Sequence, residues 1–123
     1  MVEPNISAYI QNQLKQAQEL EENIEKLASQ RYQIDLGLKE MEKTVKELQS
    51  ISDQTPVYKS VGTVLYKVEN REKMIEELNE QIELSKIRLN TIDKQQKSLE
   101  EKYKDLQNAI KDRYNQEKKG AVS

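Results

Sequence analysis

The chain has 123 residues, 35% of them hydrophobic and 34% charged, with six Tyr but no Phe, Trp, Cys or His. So small an apolar share in so charged a chain suits a coiled coil and excludes a globule with a thick core. A net charge of −2 gives no general attraction for nucleic acid or an anionic membrane, and the lack of Cys removes disulfides and thiol chemistry, in keeping with a reducing cytoplasm.

The first predicted element is a helical arm over residues 5–52. Heptad position a falls on Ile10, Ala17, Ile24, Arg31, Leu38 and Val45, and position d on Ile6, Gln13, Leu20, Leu27, Ile34, Met41 and Leu48. Eleven of these thirteen sites are apolar and the phase never breaks. Such spacing marks a narrow stripe turned toward a partner helix. Asn5 or Ser7 is placed to cap the start. The pattern decays at Ser50-Ile51-Ser52-Asp53, and Pro56 forbids its continuation.

Residues 55–68 are hostile to helix and predict a β-hairpin. Val57-Tyr58-Lys59-Ser60-Val61 and Val64-Leu65-Tyr66-Lys67-Val68 are β-branched and aromatic, with Gly62-Thr63 between them as a tight loop. That loop puts Val57, Lys59, Val61, Val64, Tyr66 and Val68 on one face, and Tyr58, Ser60, Leu65 and Lys67 on the other. A lone hairpin is barely stable in water, and its open edges and Val-rich face ask for strands that this chain does not have. Copies or relatives of the subunit are expected to complete it into a shared sheet or barrel. The plain alternative is a hairpin that only caps the coiled coil.

The second arm covers residues 70–117, with Asn70 as its N-cap. Position a falls on Ile75, Ile82, Leu89, Gln96, Tyr103 and Ile110, and d on Leu78, Ser85, Ile92, Leu99, Leu106 and Arg113; nine of the twelve are apolar. Gly120 and the small residues after it are expected to stop the helix, leaving residues 118–123 as a flexible tail. Antiparallel pairing joins a to d, so partner numbers total 123: Val45 with Leu78, Met41 with Ile82, Ile34 with Leu89, Ile24 with Leu99. The pivot then lies between Val61 and Gly62. Each polar seam residue faces an apolar one (Gln13 with Ile110, Arg31 with Ile92, Ser85 with Leu38, Gln96 with Leu27, Arg113 with Ile10) and is free to lean toward water. Tyr32, Leu36, Leu84 and Ile87 lie off the seam, where a second packing contact and an extended binding surface are both open.

This pairing gathers Ile6, Tyr9, Ile10 and Leu14 beside Ala109, Ile110 and Tyr114 at the free helix ends. Tyr9 and Ala109 are g sites and Leu14 and Tyr114 are e sites, so they widen the apolar stripe. Near a fraying end the seam residues are expected to be partly uncovered. An adaptable apolar groove of this sort binds many sequences weakly, and several acting together gain avidity. The competing reading is that these residues only knit the two ends together.

A heptad arm, the stretch VYKSVGTVLYKV with its Tyr58-Lys59 and Gly62, and an equal heptad arm together resemble a beta-class prefoldin subunit over essentially the whole chain. One hairpin fits the beta class; alpha-class subunits carry two. The resemblance implies an all-α-dominated fold, a long antiparallel two-helix coiled coil joined by a central β-hairpin that oligomerises into a β-barrel platform. It implies a hexamer of two alpha-class and four beta-class subunits, ATP-independent capture of unfolded proteins at the coiled-coil tips, and delivery to a group II chaperonin. Assembly would fall to Val57, Tyr58, Lys59, Val61, Gly62, Val64, Leu65, Tyr66 and Val68, and client binding to the helix ends. Lys111, Arg113, Lys118 and Lys119 make a mildly basic end, read as a solvated tail with chaperonin contact as a minor role.

Catalysis fits poorly. Without His or Cys the common general base, nucleophile and metal ligands are missing, and the many carboxylates sit on wet surfaces. No phosphate-cradling or calcium-loop spacing is present, so neither metal nor cofactor is expected. No run of 18 apolar residues and no charged-then-apolar leader pattern occurs, which points to the cytoplasm. The rival function is a structural coiled coil, a tether or assembly factor for one defined partner. A plain spacer, however, has no use for an unfinished pair of strands.

Overall fold

The computed structural model describes residues 7–122, in the order α1 (Ala8–Ser50), β1 (Tyr58–Val61), β2 (Val64–Lys67) and α2 (Arg71–Val122). Two long helices joined by a two-stranded antiparallel hairpin are the architecture that the heptads and the Val/Tyr segment imply. Asn5 and Ile6 lie outside the described residues. The chain divides into two units: Tyr32–Thr91 and, separately, the residues up to Arg31 with those from Ile92 onward.

Across both helices the seam follows the heptad. Every a and d site from Ile10 to Leu48 in α1, and from Ile75 to Ile110 in α2, is buried or half-buried. In the unit Tyr32–Thr91, Leu38, Val45, Ile82 and Leu89 form a buried cluster, with Ile34, Met41, Ile75 and Leu78 packed against it. These are the a and d residues that antiparallel pairing brings together, so burial here follows from the 3.5-residue spacing alone.

The same unit holds the hairpin. Tyr58 pairs with Lys67, Lys59 with Tyr66, Ser60 with Leu65 and Val61 with Val64, and one further bond runs from the Val68 N–H to the Val57 carbonyl at 2.8 Å. Gly62 has φ of 60°, and no residue other than glycine has positive φ among those described. A positive φ at the first loop position alone is the pattern of a type II′ turn, which matches the twist of the flanking strands. The turn is thus centred between Gly62 and Thr63, one residue beyond the pivot that the helix pairing implies. Unequal links absorb the shift, since residues 51–57 enter the hairpin and only residues 68–70 leave it.

In the other unit, cross-helix contacts mark the register. Arg31 grips Asp93 with Nε and Nη2, the Tyr103 hydroxyl meets Glu21, and Ser7 meets Glu117. Each pair's numbers total 124, within one residue of the arithmetic above. Ser7 caps α1, its Oγ accepting from the Ile10 N–H at 3.2 Å. Asn70 does the same for α2 through the Lys73 N–H at 3.0 Å.

The C-terminal expectation fails. α2 runs through Gly120 to Val122 and no helix stop occurs at the glycine. Gly120 does not take the left-handed conformation that ends helices, as Gly62 is the one glycine with positive φ among the described residues. A single interior glycine costs a helix only about 1 kcal/mol relative to Ala, too little to end one already propagating. Among the described residues no helix is long and apolar enough to cross a membrane.

Because Leu38 is 7% exposed within the cluster while Leu84 is 54% exposed, truncating each has a different cost. Leu38→Ala should lower stability by about 2 kcal/mol or more, and Leu84→Ala by less than about 0.5 kcal/mol, in urea unfolding followed by helical circular dichroism. Equal losses would mean that the seam is not where the burial places it.

Candidate functional site

The hairpin is the most exposed apolar feature of the described chain. Every residue of β1 and β2 is exposed, including Val61 at 50%, Val64 at 48% and Leu65 at 67%. One face carries Lys59, Val61, Val64 and Tyr66, and it continues into Val57 and Val68, which are half-buried where the strands meet their links. Tyr58, Ser60, Leu65 and Lys67 form the other face. In an antiparallel pair, bonded and non-bonded positions alternate. With Val57 and Val68 bonded, the peptide groups of Tyr58, Ser60, Leu65 and Lys67 point outward along the two edges. Both edges are therefore free to accept another strand.

The helix ends combine two kinds of surface. Tyr9, Leu14, Ala109 and Tyr114 are exposed, as flanking g and e sites should be. Ile110 is half-buried, and Ile10 is 1% exposed, the most thoroughly covered large side chain among the described residues. A frayed seam at this end is therefore not what is found. A polar network closes it instead: Glu117 accepts from the Ser7 hydroxyl at 2.8 Å and from Arg113 Nε at 3.0 Å, and the Arg113 guanidinium lies 4.4 Å from the centre of the Tyr9 ring. Ile6, the remaining residue assigned to this group, lies outside the described residues.

Tyr32, Leu36, Leu84 and Ile87 stay exposed, with Ile87 at 62%, so the described residues do not cover them. Leu84 and Ile87 join Ile75 in a shallow apolar groove along α2, edged by Glu72, Glu76, Glu80 and Glu83.

Comparison with known proteins settles the family. The family model described as "Prefoldin subunit" matches residues 11–117. The chain belongs to the prefoldin family. It is 73% identical to a protein from Thermoplasma volcanium named prefoldin subunit beta, and 72% identical to its namesake from Thermoplasma acidophilum, each match covering 100% of both chains. A crystal structure of the prefoldin beta subunit from Thermococcus strain KS-1 superposes with a TM-score of 0.78 at 33% identity, covering 89% of this chain and 95% of that one. The prefoldin beta2 subunit from the same strain gives 0.66 at 18% identity and attests to the fold alone. These relatives put the chain in the beta class, and prefoldins are chaperones, not enzymes.

Three residues of this prefoldin subunit escaped the heptad argument. Ser7 and Glu117 hold the helix ends together, and Glu117 occupies the next a site after Ile110, so extending the period by one heptad would have found it. Arg71 occupies the d site before Leu78. Its Nη1 reaches the Ile51 carbonyl at 3.2 Å, and its Nη2 reaches the carbonyls of Ser52 at 2.7 Å and Thr55 at 3.1 Å. A charged d site directly after an N-cap was the available signal.

One cross-helix contact has a pH signature. The Tyr103 hydroxyl donates to Glu21 at 3.1 Å, which raises the phenol above its ordinary value of 10.0, because tyrosinate would lose that bond and stand beside a carboxylate. A raised folded-state pKa means the contact stabilises fully below pH 10.0 and is lost as pH climbs from there through the raised value. In an absorbance titration the Tyr103 phenol should ionise above pH 10.0, and Glu21→Ala should lower the pH at which it does so. A titration identical in both proteins would show that the contact is not made.

Proposed function

We propose that this beta-class prefoldin subunit is part of an ATP-independent holdase, in which the hairpin assembles subunits and the helix ends capture unfolded proteins. The observation that carries the reading is the exposed hairpin, whose Val61, Val64 and Tyr66 face and two open edges lie uncovered by the other described residues. Burying such a face and pairing such edges with other subunits gives the hairpin the extra strands it needs for stability. The partner is an alpha-class prefoldin subunit, in a hexamer of two alpha and four beta chains whose hairpins form a shared β-barrel platform. The complex works in the cytoplasm and passes its clients to a group II chaperonin.

For capture, Tyr9, Leu14, Ala109 and Tyr114 offer apolar surface next to a thin seam. Two helices bury one stripe each, so the ends of the seam open at low cost. Opening would add Ile10 and Ile110 to that surface, and Ile6 extends the group beyond the described residues. Contacts of this kind are weak and tolerant of sequence, and several on one client multiply through effective concentration.

The test is aggregation of chemically unfolded, unrelated proteins without ATP, in the presence of this chain mixed with an alpha-class prefoldin subunit. The mixture should suppress aggregation. Val61→Asp with Val64→Asp should leave helix content intact yet abolish both the oligomer and the suppression. Removing residues 1–10 and 110–123 should spare the oligomer and weaken capture. Clients that aggregate as fast with the mixture as without it would refute the reading.

A further inference from the structure

The two links between helices and hairpin differ in length and in support. The exit link, residues 68–70, is short and anchored at both ends, by the Val68 to Val57 bond and by the Asn70 cap. The entry link, residues 51–57, is more than twice as long and has no ladder of its own. Its ends are held by the Ile51 N–H to the Glu47 carbonyl at 3.2 Å and by the bond that Val57 shares with Val68. Its middle is held by the Thr55 N–H to the Ser52 carbonyl at 3.0 Å and the Gln54 N–H to Ser52 Oγ at 3.2 Å. Left to these alone, the residues between the two ends would sample many conformations.

Arg71 meets this link at four points. Beside the carbonyls of Ile51, Ser52 and Thr55, its Nη1 stands 3.7 Å from Asp53 Oδ1. The arginine side chain is 18% exposed, whereas Asp53 is fully in solvent, so the carbonyls and not the ion pair hold it. α1 has no basic residue in its last turn, and Arg71 brings a cation to that end from the first residue of α2. The guanidinium reaches these carbonyls from two nitrogens held at a fixed spacing, whereas the three donors of a lysine share one compact ammonium.

We infer that Arg71 is a positioning residue for assembly: its guanidinium sets the orientation in which the hairpin leaves the helices. This rests on the reading that hairpins of several subunits share a sheet. A closed sheet demands that every hairpin arrive at one angle, and the entry link is where that angle is otherwise free.

The chain has no Cys, so Lys46→Cys and Thr63→Cys place a spin-label pair on α1 and on the turn. Distances are measured on the isolated labelled subunit, and assembly with an alpha-class prefoldin subunit on the unlabelled chain by light scattering. The unsubstituted subunit should give one narrow distance. Arg71→Ala and Arg71→Lys should both broaden it and raise the concentration for half-assembly at least tenfold, with helix content unchanged. Arg71→Lys keeps charge and stem, so it remains informative where Arg71→Ala misfolds. A narrow distance with unaltered assembly in Arg71→Lys overturns the inference. Failure of the unsubstituted chain to assemble removes the shared-sheet reading and the inference together, and is told apart because the variants then differ from nothing.

Discussion

Two antiparallel strands can satisfy only the backbone groups that face each other. In this hairpin the peptides of Tyr58, Ser60, Leu65 and Lys67 turn outward, and the side chains of both strands stay exposed among the described residues. Water can satisfy the outward N–H and C=O groups, so the strands persist, but water cannot compensate for an exposed face of Val61, Val64 and Tyr66. Every other feature bears on that deficit. The turn at Gly62 keeps the strands in register, and Arg71 and Asn70 tether the two links.

The helices obey a different logic. A two-helix layer buries one stripe per helix, and its stability is spread thinly over many layers instead of concentrated in one core. That arrangement tolerates polar residues in the seam. Arg31 leans out to meet Asp93 and Tyr103 turns its hydroxyl to Glu21, so both keep an apolar stem inside and a polar head outward. The Gln13 Oε1, by contrast, is buried without a partner among the described residues. At the free ends the same economy produces a covered Ile10 under a network of Ser7, Glu117, Arg113 and Tyr9, bordered by uncovered Leu14, Ala109 and Tyr114. Closure there depends on a few polar contacts around one buried side chain, which are weaker than a continuous apolar seam.

Much of this is legible in the amino-acid sequence alone. Periodicity is a property of the chain alone, so the a and d sites from Ile10 to Ile110 declare their burial, and β-branched residues around Gly62-Thr63 declare the hairpin and its faces. What escaped depends on contacts between distant segments. Arg71 looks like one more surface charge until the carbonyls of Ile51, Ser52 and Thr55 curl around it. Gly120 looks like a helix stop, yet it lacks the left-handed backbone that a stop requires. The pivot was displaced by one residue because pairing arithmetic on the helices is blind to links of unequal length. The openness of the helix ends was overstated because Glu117 sits one heptad beyond the last apolar site.

The central claim is that the hairpin's open edges are where other subunits join. Amide hydrogen exchange tests it residue by residue, on the isolated chain and on the chain mixed with an alpha-class prefoldin subunit. Mixing should slow exchange at Tyr58, Ser60, Leu65 and Lys67, whose amides point outward, far more than along the exposed faces of α1 and α2. Fast exchange at those four positions in the mixture, with new protection confined to the helices, would contradict it.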